Sequence, residues 1–190
     1  MNDWEERYQQ GDTGWDRGTT SPALHTWLDS GALKPCRILI PGCGRGHEVV
    51  TLARLGYDVT AVDIAPSATA HLQQQLVDAG VTATVICDDL FNYQSATPFD
   101  AIYEQTCLCA IQPEQRSEYE TCICRWLRPG GELFALFMQT GAEGGPPFHC
   151  DLQQMRQLFN SDHWLWSSHE PIRVPRKSGR FEIGTILSKR

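Results

Sequence analysis

No stretch of this chain approaches the 18 or so consecutive apolar residues that a membrane-spanning helix needs. The amino-terminal Met-Asn-Asp-Trp-Glu-Glu-Arg-Tyr is charged where a secretory signal would be apolar. Both absences predict a protein of the cytoplasm with no membrane partner. Basic residues are in deficit, 16 Lys and Arg against 23 Asp and Glu, and the net charge is −7. Such a surface repels phosphates, so a nucleic-acid partner is not expected. No repeat, low-complexity tract or linker interrupts the 190 residues, which therefore read as a single domain over 1–190. Cys-x-x-Cys, the usual zinc spacing, is missing. The eight cysteines (Cys36, Cys43, Cys87, Cys107, Cys109, Cys122, Cys124 and Cys150) include two pairs spaced Cys-x-Cys. That spacing is poorer for a metal, and residues two apart on a helix do not face each other. Reduced thiols acting as small buried hydrophobes are expected, with no metal site.

What is present centres on Ile38 to Glu48, Ile-Leu-Ile-Pro-Gly-Cys-Gly-Arg-Gly-His-Glu. An apolar β-branched run leads into three glycines at alternate positions, Gly42, Gly44 and Gly46, and then into helical spacing at Val49, Leu52, Ala53 and Leu55. Strand, glycine turn and helix begin a βαβ unit, and the glycines let a ligand lie against bare backbone. A second strand ends at Asp63, twenty-one residues past Gly42. An acid there is placed to accept hydrogen bonds from both ribose hydroxyls of a nucleoside. The dinucleotide fingerprint is Gly-x-Gly-x-x-Gly; here His47 stands where it wants glycine, and the third glycine comes one place early. Gly-x-Gly-x-Gly after a strand is the pattern of S-adenosylmethionine methyltransferases. An NAD oxidoreductase is correspondingly disfavoured, and a tight turn without a ligand is the plain alternative.

Strands are expected at 36–41, 58–62, 82–87, 99–103 and 132–138, with helices at 45–55, 66–79 and 113–127 between them. This alternation predicts an α/β fold with a parallel sheet, helices on both faces and ligands at the carboxyl ends of the strands. Ser21-Pro22 is a helix start, closed at Gly31. Arg128-Pro-Gly-Gly reads as a turn, 141–150 as a loop and plausible lid, 151–159 as a short helix, and 163–169 with 181–187 as a final strand pair. Arg173 and Arg176 lie between these strands; they either attract an anionic acceptor or are solvated surface. Trp4, Tyr8 and Trp15 crowd a short polar segment. They either staple a terminal helix or form an aromatic lid, and an aromatic face suits a sulfonium cation.

The whole chain resembles the thiopurine S-methyltransferase family, especially its thiol and halide methyltransferase branch. The resemblance rests on Trp4 to Trp15, Thr13-Gly-Trp-Asp-Arg-Gly, Ser21-Pro-Ala-Leu, Pro41-Gly-Cys-Gly-Arg-Gly-His-Glu, Asp63-Ile-Ala, Asp89-Leu-Phe, Tyr103-Glu-Gln-Thr-Cys-Leu-Cys-Ala-Ile-Gln-Pro, Leu127-Arg-Pro-Gly-Gly-Glu-Leu-Phe-Ala-Leu-Phe-Met and Gly144-Gly-Pro-Pro-Phe. It implies a Rossmann-like class I fold with a seven-stranded, mostly parallel sheet whose last strand is antiparallel. It divides the chain into an aromatic cofactor lid (1–20), a cofactor-binding core (36–140) and a carboxyl-terminal lid loop with an antiparallel strand pair (141–190). It implies S-adenosyl-L-methionine as cofactor, held by Trp4, Tyr8, Trp15, Gly42, Gly44, Asp63, Ile64, Asp89, Leu90 and Glu104. Asp63 would take the ribose, and Asp89-Leu90 the adenine. By its own strand-end position, Glu104 is a structural or cofactor ligand or else a surface acid. Ile40 stands where many methyltransferases carry an acid, as in the family's own Val-Pro variant. Gln105 stands where the thiopurine enzymes look like arginine, which counts against a thiopurine acceptor.

Methyl transfer from a sulfonium expels a neutral sulfide, so no acid is needed, and a thiolate or halide needs little or no base. Positioning and desolvation then suffice, and no catalytic side chain is expected. None of the six His is placed as a base; His47 reads as a residue of the loop surface or helix start. Gln105 and Phe148 are candidate substrate residues. The expected acceptor is a small soft nucleophile, a thiol, halide or thiocyanate-like anion, acted on by a monomer. A thiopurine or an oxyanion of selenium or tellurium is the alternative acceptor, and a non-catalytic S-adenosylmethionine-binding protein is the alternative of another class.

Overall fold

The computed structural model describes residues 4–190. Residues 1–3 of the expected lid lie outside the described residues. The chain forms two compact units, one ending at Tyr93 and the other beginning at Gln94.

In the first unit α1 (Trp4–Gln9) and α2 (Pro22–Asp29) precede β1 (Arg37–Pro41), α3 (His47–Arg54), β2 (Asp58–Asp63), α4 (Pro66–Ala79) and β3 (Thr84–Cys87). Ser21 caps α2, its hydroxyl accepting from the Ala23 N–H, as serine before proline favours. β1 pairs with β2 and β2 with β3, both parallel. Parallel neighbours need crossovers, which α3 and α4 supply. Ile38, Leu39, Val59, Ala61 and Val62 are buried. A continuous apolar run suits a strand covered on both faces.

The second unit contains β4 (Phe99–Gln105), a 3₁₀ turn (Pro113–Gln115), α5 (Arg116–Trp126), β5 (Leu127–Gln139), α6 (Leu152–Leu158), β6 (Trp164–Trp166), β7 (Ile172–Pro175) and β8 (Phe181–Lys189). β4 and β5 are parallel. β8 runs antiparallel to β5 and to both β6 and β7. Phe137 meets Phe159 and Trp166 at ring separations of 5.9 and 5.6 Å, and Phe159 meets Trp164 at 5.5 Å. These aromatic contacts hold α6 and β6 onto β5.

Two details depart from the sequence reading. Arg128-Pro-Gly-Gly is a bulge inside β5, because Phe99 pairs with Leu127 but Ala101 pairs with Glu132. Gly131 sits there because a Cβ would come within 2.9 Å of the Arg128 carbonyl and 3.0 Å of the Asp100 carbonyl. The described residues also hold eight strands. β6 and β7 occupy successive stretches of β8, Leu187–Lys189 and Phe181–Gly184. Pro171, which cannot donate to a ladder, lies between them, so one expected strand position is filled by two short strands.

Gly46 joins the glycine turn to α3 at φ +74°, and a Cβ there would strike the side chain of the fully buried Leu72 in α4. Replacing it strains the backbone and forces the core to move. Gly46→Ala is therefore expected to destabilise the protein by about 1–3 kcal/mol. Urea unfolding reads this as a lower midpoint at unchanged slope, and an unchanged midpoint would contradict the packing described.

Candidate functional site

In the first unit the glycine turn is held from the end of β2. The Asp63 carboxylate accepts the Gly44 N–H at 2.7 Å on one oxygen and the Ala65 N–H at 2.9 Å on the other. One side chain thus fixes both the turn after β1 and the approach to α4. Burial pushes the Asp63 carboxyl up, opposed by the hydrogen bonds from Ala65 and Gly44. The Cys43 N–H donates to the Val62 carbonyl at 3.1 Å, which ties the turn to β2 a second time. Gly44 is left-handed at φ +54°, and a Cβ on it would lie 2.8 Å from the Tyr8 hydroxyl. Bare backbone is thus required beneath Tyr8.

Trp4, Tyr8 and Trp15 pack together. Trp15 receives Trp4 edge-on at 5.4 Å and Tyr8 at 5.6 Å, with the Arg7 guanidinium 4.4 Å over its ring. Burial and the nearby Asp63 charge push the Tyr8 hydroxyl well above its usual range. The aromatic group therefore lies on the glycine turn. Ile64 is 49% exposed beside the buried Asp63. The Asp88 N–H donates to the Asp63 carbonyl at 3.0 Å, which sets the segment after β3 against the end of β2. The half-buried Asp89 turns that segment by accepting the Phe91 N–H at 3.0 Å, with Leu90 half-buried next to it. Trp4, Tyr8, Trp15, Gly42, Gly44, Asp63, Ile64, Asp89 and Leu90 thus share one end of the first unit's strands.

Glu104, Gln105 and Phe148 belong to the second unit. Glu104 is buried at the end of β4, where one oxygen accepts the N–H groups of Cys107 at 3.1 Å and Leu108 at 2.7 Å. Its other oxygen is buried without a hydrogen-bond partner among the described residues, and burial raises the carboxyl to about 7. Gln105 accepts from the Tyr103 hydroxyl at 2.9 Å and donates to Glu182 at 3.3 Å. Arg176 reaches the buried Glu182 at 3.8 Å with only 9% of its side chain exposed, so it is not solvated surface. Arg173 lies 3.9 Å over the Phe181 ring. The Phe148 N–H donates to the Cys109 carbonyl at 2.7 Å, which joins the 141–150 loop to the chain after β4.

A nucleoside bearing a sulfonium fits the first unit. Its strand ends offer bare glycine backbone, an aromatic group and an acid with acceptor capacity to spare, since a carboxylate has about four acceptor positions and backbone N–H groups of Gly44, Ala65 and Ile64 take up to three. The family model described as thiopurine S-methyltransferase matches residues 1–179. The chain belongs to the thiopurine S-methyltransferase family. It is an S-adenosylmethionine-dependent methyltransferase. It is 34% identical over 186 residues to thiocyanate methyltransferase 1 of Brassica oleracea, covering 95% of this chain and 82% of that one. It is 26% identical to the thiopurine S-methyltransferase of Pseudomonas putida (strain GB-1), covering 94% and 90%. Among solved structures, the Burkholderia thailandensis 1,6-didemethyltoxoflavin-N1-methyltransferase with bound S-adenosylhomocysteine superposes with a TM-score of 0.78. The two are 21% identical, and the match covers 98% of this chain and 85% of that one. The fold is the Rossmann-like α/β fold of class I methyltransferases, with a large, mostly parallel sheet.

Three members of this methyltransferase's cofactor end escaped the sequence reading. Glu5 accepts both the backbone N–H and the hydroxyl of Ser67, at 2.8 and 2.5 Å. It replaces the cap that Ala65 cannot supply to α4, and a helix opening Ala-Pro-Ser was the available hint. Glu48 accepts the Ser21 N–H at 2.9 Å, and burial raises its carboxyl. Asp16, next to Trp15, meets His47 at 2.9 Å and Arg45 at 3.3 Å. His47 is thus an anchor for the amino-terminal segment, a role that nothing in its spacing indicated.

The His47 hydrogen bond, with the Gly18 N–H behind it, holds Asp16 down at about 2, and Asp16 in turn raises His47. Asp16's contribution is present above the ordinary carboxylate pKa and is lost as pH falls toward its depressed value. His47's contribution is complete below an unfolded imidazole pKa of about 6.5 and is lost as pH rises through its raised folded value. The pair is therefore strongest from about pH 4 to 6.5. Asp16→Asn is expected to cost about 1–2 kcal/mol at pH 6 and clearly less at pH 9. Thermal unfolding of both proteins across this range checks it; a cost that does not change with pH would contradict the anchor.

Proposed function

We propose that this methyltransferase acts on a small soft nucleophile: hydrogen sulfide, a small thiol, thiocyanate or a halide. The observation that carries the reading is Gln105. It replaces the arginine of the thiopurine enzymes, and both ends of its amide are engaged within the unit, by Tyr103 and Glu182. The arginine that does reach this group, Arg176, faces the buried carboxylate of Glu182. A purine ring would leave several polar atoms unpaired there at roughly 1–3 kcal/mol each, whereas a small soft anion carries one charge, which the sulfonium itself neutralises in the ternary complex. The name of the Brassica oleracea relative, thiocyanate methyltransferase 1, agrees with this choice.

Bound S-adenosylmethionine supplies an electrophilic methyl on a sulfonium that leaves as a neutral sulfide. The chain's own part is binding and exclusion of water. Asp63 takes the ribose on the acceptor capacity that its backbone partners Gly44, Ala65 and Ile64 leave over. Gly42 and Gly44 admit the ligand against their backbone. Ile64, Asp89 and Leu90 take the adenine, and Trp4, Tyr8 and Trp15 cover the sulfonium. The buried, unpartnered oxygen of Glu104 suits a ligand N–H or S–H, and Phe148 walls the acceptor side. No residue is assigned as a catalytic base. Eight cysteines held as thiols suit a reducing cytoplasm, and the 190 residues act as one methyltransferase domain in a monomer.

The test compares kcat/KM for 6-mercaptopurine with that for hydrogen sulfide, thiocyanate and iodide at one pH. The soft nucleophiles are expected to lead. A tenfold or greater lead for 6-mercaptopurine, about 1.4 kcal/mol in transition-state binding, would overturn the proposal for a thiopurine acceptor. No turnover of any acceptor in a protein that binds S-adenosylhomocysteine would overturn it for a binding protein.

A further inference from the structure

Three potential metal ligands converge in the second unit, and the methyl-transfer chemistry uses none of them. Glu120 and Cys124 stand four residues apart on α5 and so share a helix face. His163 immediately precedes β6. One ligand atom from each lies within 4.8 Å of the others, the only such grouping of His, Cys, Asp and Glu among the described residues. His163 Nδ1 is 3.9 Å from a Glu120 carboxylate oxygen.

We propose that Glu120, Cys124 and His163 form a structural site for a zinc-class divalent cation that ties α5 to the start of β6. The donors are a carboxylate, a thiolate and an imidazole, the set that borderline-soft cations such as Zn²⁺ prefer and that Mg²⁺ and Ca²⁺ avoid. Zinc bonds of about 2.0–2.3 Å place ligand atoms roughly 3.3–3.8 Å apart. The grouping is already close to that spacing, and the His163 side chain, 60% exposed, is free to rotate inward.

The backbone and the carboxylate of the site stand at fixed positions. Glu120 is buried, and its carboxylate accepts the Trp164 indole N–H at 2.6 Å. This is the outer hydrogen bond that orients a ligating carboxylate. The His163 backbone is pinned by its carbonyl, which accepts the Arg190 N–H at 2.9 Å. The Lys189 ammonium is held by carbonyls at the end of α5, those of Cys124 at 2.6 Å and Leu127 at 2.7 Å. Burial raises the Cys124 thiol, Lys189 opposes the rise in part and the Glu120 charge adds to it. On binding, Cys124 gives up its proton to solvent and its sulfur pair goes to the metal, with no change of oxidation state. A water completes the four-coordinate shell.

The experiment titrates Zn²⁺ into the full-length protein against a chromophoric chelator, with Mg²⁺ as the control cation. Wild type is expected to bind one Zn²⁺ per chain and to gain thermal stability from it. His163→Ala, at an exposed position that the fold tolerates, and Cys124→Ser should each weaken binding about tenfold or more. Cys36→Ser, which alters a thiol outside the site, should not. Zn²⁺ should also slow alkylation of Cys124 in peptide maps of wild type but not of His163→Ala. Absence of stoichiometric binding, equal competition by Mg²⁺, or unchanged affinity in either His163→Ala or Cys124→Ser would overturn the proposal.

Discussion

The cofactor end of this molecule depends on one buried carboxylate. Asp63 receives the Gly44 N–H on one oxygen and the Ala65 N–H on the other, so the turn after β1 and the entry to α4 share a single anchor. Gly44 then lies close enough to Tyr8 that a methyl group would not fit between them. Tyr8 contacts Trp15, whose neighbour Asp16 is clamped by His47 and Arg45. Glu5, one turn before Tyr8, caps α4. The aromatic segment is therefore fixed to the glycine turn, to α3 and to α4 by charged hydrogen bonds, which are stronger than neutral ones.

The second unit solves a different problem, the burial of acids. Glu104 and Glu182 are 1% and 0% exposed. The first is stabilised by two backbone N–H groups, and the second by Gln105 and Arg176. Removing either partner of the Arg176–Glu182 pair would leave a charge without compensation in an apolar surrounding, which is why such pairs persist together. Gln105 is the hinge of this arrangement, because it joins the end of β4 to β8 and at the same time takes the place of an arginine. The side chain on which the proposed acceptor preference rests is thus also one that ties β4 to β8.

The βαβ framework was legible because its signals are local. Apolar runs, the glycine turn and the acid at the end of β2 all lie within 26 residues of one another, from Ile38 to Asp63. The boundaries of α4, Pro66–Ala79, followed directly from proline at its start and glycine after its end. The aromatic cluster was recognisable as a cluster, but its anchors were not. Glu5 and Ser67 are 62 residues apart, and Asp16 and His47 are 31. No periodicity connects them, and each reads alone as a surface residue. The burial of Arg176 was hidden for the same reason, since only the pairing of β7 with β8 brings it to Glu182. The bulge at Arg128–Gly131 reads locally as a turn, and the strand pairing alone makes it part of β5.

The most direct measurement is calorimetric titration of S-adenosylhomocysteine into wild type and Asp63→Ala, with circular dichroism confirming that the variant is folded. The account assigns Asp63 both the glycine turn and the ribose, so the variant is expected to lose about 3–5 kcal/mol of binding at most and well over tenfold in affinity. Unchanged affinity in a folded Asp63→Ala protein would contradict it.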